Sequence, residues 1–181
     1  GKAVDVIDFV LHHEGISKHE AIVKAKELIG YKEPEQPFEK LFKVFQTTLK
    51  KKDKAQAYLK ERNIEKAEAG FNSGTWENLK QCIIFPLRDK KEKIVSLYGR
   101  SIHNNEDAKH FYTRNRKGLY PGYPKADTKQ LILTEAIIDA ATLGQHIDYT
   151  VLACYGTNGF TVEHEQAIKE LKQLEEVIIF F

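Results

Sequence analysis

The stretch Leu131-Ile132-Leu133-Thr134-Glu135-Ala136-Ile137-Ile138-Asp139-Ala140-Ala141-Thr142-Leu143 changes hydrophobic period half-way and leaves a carboxylate at the change. Gln130 to Leu133 read as a short apolar strand buried on both faces. Ile137, Ile138, Ala141 and Leu143 then recur at helical spacing, with Thr134 placed to cap that helix. In an open α/β sheet, ligands gather outside the carboxyl ends of the strands, so Glu135 stands where a site would be built. Asp139 lies one helical turn further along the same face. Taken alone, Glu135 is explained equally well as an acid favoured by the dipole of a helix start.

Working outward, Tyr149 to Tyr155 form a second apolar strand and Gly156-Thr157-Asn158-Gly159 a turn. Thr161, with Glu163 behind it, is placed to cap a helix running to about Leu174, and Val177 to Phe181 begin a third strand. The order β-α-β-α-β predicts a parallel sheet with right-handed crossovers. Glu at the end of the first strand, Asp139 four residues on and Gly-Thr after the second strand together resemble the TOPRIM domain of DNA primases, topoisomerases and some nucleases. Ala136 stands where primases usually carry Gly, which crowds the backbone slightly and spares the carboxylates. The resemblance implies an Asp-x-Asp pair at the tip of the third strand, completing a divalent-metal site with Glu135. The sequence stops at Phe181, so the chain reads as an excised fragment, expected to be inactive by itself. Glu135 and Asp139 alone are too few for a tight Mg²⁺ site, which needs near-octahedral oxygen coordination.

The chain has 181 residues, 41% hydrophobic and 10% aromatic, which suits a folded globular protein. No apolar run approaches the roughly 20 residues of a membrane span, and no signal peptide is visible, so a cytoplasmic location is expected. Cys82 and Cys154 both sit in apolar strand-like runs and read as buried thiols rather than a disulfide or zinc site. The net charge of +2 is unevenly spread. Residues 1–39 carry −3, 40–66 carry +6, 67–85 carry −1, 86–129 carry +6 and 130–181 carry −6. Two basic blocks therefore precede an acidic one, which suits a polyanion brought to a carboxylate cluster and equally describes a solvated charged surface.

Residues 4–29 predict two helices broken at Gly15. Val4, Val6, Ile7, Val10 and Leu11 line one; Ile16, Ala21, Ile22, Ala25, Leu28 and Ile29 line the other, opened by a Ser17–Glu20 capping box. The adjacent His12 and His13 cannot face one metal from a helix and read as surface residues. Tyr31 to Pro37 is a linker. Phe38 to about Asn63 is helical, with Leu41, Phe42, Val44, Phe45 and Leu49 apolar and a solvated lysine turn at Lys50 to Lys54. Phe71 to Trp76 read as connection. Cys82–Leu87 and Ile94–Arg100 predict antiparallel strands about a polar turn, Arg88 to Lys93, with Pro86 marking an edge or a bulge. From His110 to Tyr120, Arg114, Arg116 and Lys117 interleave with Phe111, Tyr112 and Tyr120. Cations hold phosphates while rings stack on bases, at roughly 1–3 kcal/mol per base.

These segments extend the resemblance to primases. Asp5 to Val10 with Glu14-Gly15-Ile16-Ser17 resemble the tail of the zinc-binding domain that precedes the primase core, whose zinc ligands would lie before Gly1. Ala57-Tyr58-Leu59-Lys60-Glu61-Arg62-Asn63-Ile64 resemble the opening of that core. Gly99-Arg100-Ser101 resemble a core strand whose Arg faces nucleic acid, and Lys117-Gly118-Leu119-Tyr120 fit the primase Lys-Gly and Leu-Tyr-Gly loop. His110-Phe111 replace Lys-Tyr, which makes the charge there pH-dependent. Gly118-Leu119-Tyr120-Pro121 and Thr157-Asn158-Gly159 look most like primases of bacterial mobile elements.

The expected architecture is α/β: a helical tail over 1–33, a mixed helical and antiparallel basic subdomain over 38–127, and a partial TOPRIM sheet over 128–181. The resemblance implies DNA replication chemistry, namely RNA primer synthesis on a single-stranded DNA template from nucleoside triphosphates by Mg²⁺- or Mn²⁺-dependent nucleotidyl transfer, with a replicative helicase as partner. It implies Glu135 as metal ligand or general base and Asp139 as supporting carboxylate. It also implies Arg100 and Lys117 as phosphate holders, with His110, Arg114 and Arg116 contacting template or nucleotide. The competing readings are a TOPRIM module that binds nucleic acid without phosphoryl transfer, and a TOPRIM nuclease or topoisomerase.

Overall fold

The computed structural model describes residues 9, 13, 15–28, 30, 38–103, 109–113 and 116–181. The chain divides into two compact units, Gly1–Gln36 and Pro37–Phe181.

In the first unit the predicted capping box is formed. The Ser17 backbone N–H donates to Glu20 Oε2 at 2.8 Å, and the Glu20 N–H donates to Ser17 Oγ at 3.3 Å, opening helix α1 (Lys18–Leu28). Ala21 and Ala25, four residues apart, are its buried positions, whereas Leu28 is exposed. Phe9 and His13 are helical with stacked rings, and His13 is exposed. His12, Ile29, the linker Tyr31–Pro37 and the rest of the first predicted helix lie outside the described residues.

The second unit begins with helices α2 (Phe38–Leu49) and α3 (Asp53–Glu61). An antiparallel sheet follows, with strands β1 (Gly70–Asn72), β2 (Cys82–Arg88), β3 (Ile94–Ser101) and β4 (His110–Tyr112) side by side in that order. A parallel sheet contains β5 (Gln130–Thr134), β6 (Thr150–Ala153) and β7 (Glu176–Phe180), with β5 in the middle. Helices α4 (Ile137–His146) and α5 (Val162–Lys169) connect these strands.

β2 and β5 are apolar along most of their length because both of their faces are covered, whereas β7 is largely exposed. In β2, Cys82 and Ile84 pack with Phe38, Phe42 and Phe45 of α2, while Ile83, Phe85 and Leu87 enter the cluster shared with the parallel sheet. In β5, Leu131 and Leu133 meet Ala167 of α5, and Ile132 faces the opposite way, towards Ile137 and Ile138. Each fully buried Leu, Ile or Phe contributes about 1.5–3 kcal/mol. Val44, expected in the apolar set of α2, is instead half exposed.

Phe71 belongs to a strand rather than to a connection. β1 is only three residues long, too short to show a period, and α2 lies so close that a Cβ on Gly70 would fall 2.6 Å from Phe45 Cβ. Pro86 falls beyond the reach of β1, which pairs with Cys82 to Ile84, and a bulge follows at Leu87/Arg88. Thr134 is not a helix cap. Its hydroxyl donates to the Ala136 carbonyl at 3.1 Å, and Ala136 is itself the extended residue before α4. Thr161 does precede α5, but its capping partner is His164, not Glu163, and the helix ends at Lys169 rather than near Leu174.

Glu163 is occupied elsewhere, holding the segment that joins the two sheets. It accepts from the Gly118 N–H at 3.0 Å and the Tyr123 hydroxyl at 2.5 Å. Leu119 and Arg88 of β2 exchange backbone hydrogen bonds of 2.8 and 3.0 Å, and the next residue, Tyr120, accepts from Ala153 N–H of β6 at 3.0 Å. Gly118 turns into this segment with φ +81°, and a Cβ there would lie 2.9 Å from the Arg88 backbone. Gly118→Ala is therefore expected to destabilise the unit by about 2–4 kcal/mol, combining a left-handed backbone penalty with overpacking. Urea unfolding measures this directly; a loss below about 1 kcal/mol would contradict the assignment.

Candidate functional site

All three parallel strands end at one edge: Thr134 of β5 sits opposite Ala153 of β6 and Phe180 of β7. Glu135 is the next residue, half-buried, and the loop after β6 fastens it twice. The Gly156 N–H donates to its carbonyl at 2.9 Å, and the Thr157 hydroxyl donates to Oε1 at 2.5 Å. Asp139, also half-buried, lies in the first turn of α4.

One edge of the antiparallel sheet is β4, which carries His110. Arg100 of β3 is paired in register with His110 of β4. The Arg100 guanidinium donates to His110 Nε2, and its Nε donates to the Tyr58 hydroxyl of α3 at 3.2 Å. Arg62, one turn along α3, lies over the Tyr58 ring. Arginine has no acceptor, so His110 Nε2 must be unprotonated. The neutral ring then carries its proton on Nδ1, 2.7 Å from the Tyr98 oxygen. Burial and then the Arg100 charge hold the His110 pKa below its ordinary 6.5, while Asp139 and, more weakly, Glu135 pull it upward. His110 is thus the group on which both carboxylates and both arginines act.

Arg116 and Lys117 are exposed. The Arg116 guanidinium lies 5.2 Å from the centre of the Tyr112 ring of β4 and 5.8 Å from that of Tyr155 in the loop after β6, beside two rings that touch each other. Lys117 immediately precedes the Gly118 turn, where the Tyr155 hydroxyl donates to the Gly118 carbonyl. Arg114 lies outside the described residues. Cys82 and Cys154 are buried free thiols, and burial followed by the Glu135 charge pushes Cys154 up to about 11, so it carries no reactive thiolate. Among the described residues no three His, Cys, Asp or Glu side chains come together as metal ligands. A separate cleft at Arg88, Lys90 and Tyr123 contains none of the candidate residues, and its Arg88 and Lys90 are ion-paired with Glu68 and Glu170.

Sequence reasoning missed Tyr58, Arg62, Thr157 and Tyr155 as parts of this arrangement. Tyr58, Thr157 and Tyr155 act through contacts to residues at least 20 positions away, which no local period marks, and Arg62 enters by lying over the Tyr58 ring. His164 was missed as well. It is fully buried, its Nε2 lies 2.9 Å from the Ala153 carbonyl and its Nδ1 lies 3.2 Å from the Thr161 N–H. A carbonyl only accepts and an N–H only donates, so His164 is neutral with its proton on Nε2. Burial lowers its pKa.

No protein-family model matches the chain. A DNA primase of Buchnera aphidicola (subspecies Baizongia pistaciae) is 32% identical over 150 residues, covering 73% of this chain and 24% of the relative. The chain superposes on the Aquifex aeolicus primase (zinc-binding and RNA polymerase domains) with a TM-score of 0.62 at 17% identity, covering 98% of this chain and 57% of that one. It superposes equally, at 0.62 and 20% identity, on a primase catalytic domain solved bound to single-stranded DNA, covering 78% of this chain and 60% of that one. This chain has a bacterial-type primase core. It spans about a quarter of the length of the curated relative and under two thirds of these solved chains. Among the described residues of the primase core, no helix is long and apolar enough to cross a membrane.

The two neutral histidines of the primase core give a paired prediction. Each has a folded pKa below 6.5, so between the two values the unfolded chain binds more protons and stability rises with pH. Their contribution is complete above pH 6.5 and is lost as pH falls below 6.5 towards the folded pKa values. Long-range ¹H–¹⁵N NMR at pH 7.5 should show His164 as the Nε2–H tautomer and His110 as the Nδ1–H tautomer, both titrating below 6.5. A His110 resonance titrating above 6.5 would contradict the Arg100 contact.

Proposed function

We propose that this chain is the part of a DNA primase that grips single-stranded DNA and nucleoside triphosphate and presents Glu135 to the reacting phosphate. The observation that carries this reading is the electrostatic convergence on His110. Arg100 and Arg62 lower the pKa of His110 while Asp139 and Glu135 raise it, so charges of both signs act on this one ring. The bound DNA of the solved primase relative supports the same assignment.

The donor set fits Mg²⁺ or Mn²⁺ of the kind held by one or two carboxylates together with substrate phosphates, with Glu135 and Asp139 as the protein's share. When bound, the metal supplies charge neutralisation at the α-phosphorus. The protein's residues do the rest. Lys117 and Arg100 hold phosphate oxygens, Arg100 being oriented by Tyr58 and His110. Arg116, lying beside Tyr112 and Tyr155, and Arg114 contact template or nucleotide. Glu135 either holds the cation or takes the proton of the attacking 3′-hydroxyl, and Asp139 supports it. In the whole protein this reading includes a zinc-binding domain before the core, a helical tail over 1–33, the basic subdomain over 38–127 and the TOPRIM part over 128–181. It also includes a replicative helicase partner and a cytoplasmic location. The relatives are primases, and no observation favours strand cleavage.

The test is primer synthesis by the full-length parent on single-stranded DNA with Mg²⁺ or Mn²⁺. Glu135→Gln should lower the rate at least about 100-fold, the scale of one electrostatic contact at a reacting centre, while leaving DNA affinity nearly unchanged. Arg100→Ala and Lys117→Ala should each lower the slope of log affinity against log salt by about 1. Full synthesis by the Glu135→Gln protein would overturn the reading.

A further inference from the structure

The loop joining β6 to α5 is built to hold one hydroxyl against the Glu135 carboxylate, and we infer that Thr157 is a positioning residue for Glu135. The inference rests on the primase reading and extends it to a residue that acts through Glu135.

Thr157 is exposed, yet its Oγ1 donates to Oε1 at 2.5 Å. The loop around it has little freedom. Its start is fastened by the Cys154 N–H to the Thr134 carbonyl and the Gly156 N–H to the Glu135 carbonyl, both at 2.9 Å. It closes on itself through the Gly159 N–H to the Gly156 carbonyl at 2.8 Å and the Tyr155 N–H to the Gly159 carbonyl at 3.3 Å. Gly156 has φ +102°, and a Cβ on Gly159 would fall 2.3 Å from the Tyr155 carbonyl carbon, so neither position accepts a side chain without rearrangement. Beyond the loop, neutral His164 ties Thr161 to the Ala153 carbonyl.

A hydroxyl donor to a carboxylate is a charge-assisted bond, directional enough to select one rotamer. Among the described residues, Oε1 is the carboxylate oxygen of Glu135 that accepts a hydrogen bond, from Thr157. Thr157 therefore sets the direction of the carboxylate before any cation arrives, as outer partners of metal-binding carboxylates do, and removing such partners typically weakens metal binding about 10–100-fold.

The experiment compares wild type, Thr157→Val, Thr157→Ser and Glu135→Gln in the full-length parent. Mn²⁺ alone is titrated and followed by water-proton relaxation, in parallel with the Mn²⁺ dependence of primer synthesis and the thermal midpoint. Thr157→Val should raise the half-saturating Mn²⁺ concentration about tenfold in both titrations without shifting the thermal midpoint, and Thr157→Ser should return it to within about twofold of wild type. A Thr157→Val protein that binds Mn²⁺ like wild type, while Glu135→Gln does not, overturns the role of Thr157 and leaves the primase reading standing. A Thr157→Val defect that tracks a lowered thermal midpoint and is not restored by Ser overturns it too. If Glu135→Gln itself changes neither titration, the reading beneath the inference fails with it.

Discussion

The arrangement of the second unit depends on three residues, Gly118 to Tyr120, that belong to neither sheet and pair with both. Leu119 exchanges two hydrogen bonds with Arg88 of the antiparallel sheet, and Tyr120 accepts one from Ala153 of the parallel sheet. A backbone that alternates partners over consecutive residues holds two sheets in one register without a long interface. The constraint is geometric. The segment can approach Arg88 this closely only because Gly118 has no Cβ, and Glu163 and Tyr155 then fix Gly118 from two sides.

The placement of the candidate residues follows. With the sheets joined, aromatic contacts run from the edge carrying His110 to the loop that follows β6. Tyr98 packs on Tyr112, Tyr112 on Tyr155 and Tyr155 on His164, an unbroken series from β3 to α5. Burial raises the pKa of Tyr98, Tyr112 and Tyr155, so the series stays neutral and gives Arg116 ring faces to lie on without adding charge. Rings of this kind hold a cation in place at low conformational cost. Charges of both signs act on His110, whose neutral form accepts from Arg100 while Asp139 and Glu135 pull its pKa upward.

Much of this was legible in the sequence. Gln130 to Thr134 contains the apolar run of a central parallel strand, and the switch to helical spacing after Glu135 marks the crossover, because a strand buried on both faces and a helix buried on one leave different periods. Glu135 and Asp139 were legible for the same reason, as polar residues standing where the period changes. The Ser17–Glu20 capping box is local by construction and could be read from spacing alone. β1 could not be read, since three residues carry no period and its place is set by the contact of Gly70 with Phe45.

The sequence by itself thus determined the longer elements, the chain order of the parallel half and the candidate acids, all of which follow from hydrophobic spacing and short-range capping chemistry, but not the three-residue strands β1 and β4. Only the tertiary structure decided which cations act on His110 together with those acids, that His110 is neutral because Arg100 can only donate to it, that Thr157 grips Glu135 and that Glu163 serves the loop at Gly118 instead of its own helix. Those are contacts between residues 10 to 45 positions apart. Such contacts form only after both sheets have packed, and a linear pattern contains no term for them.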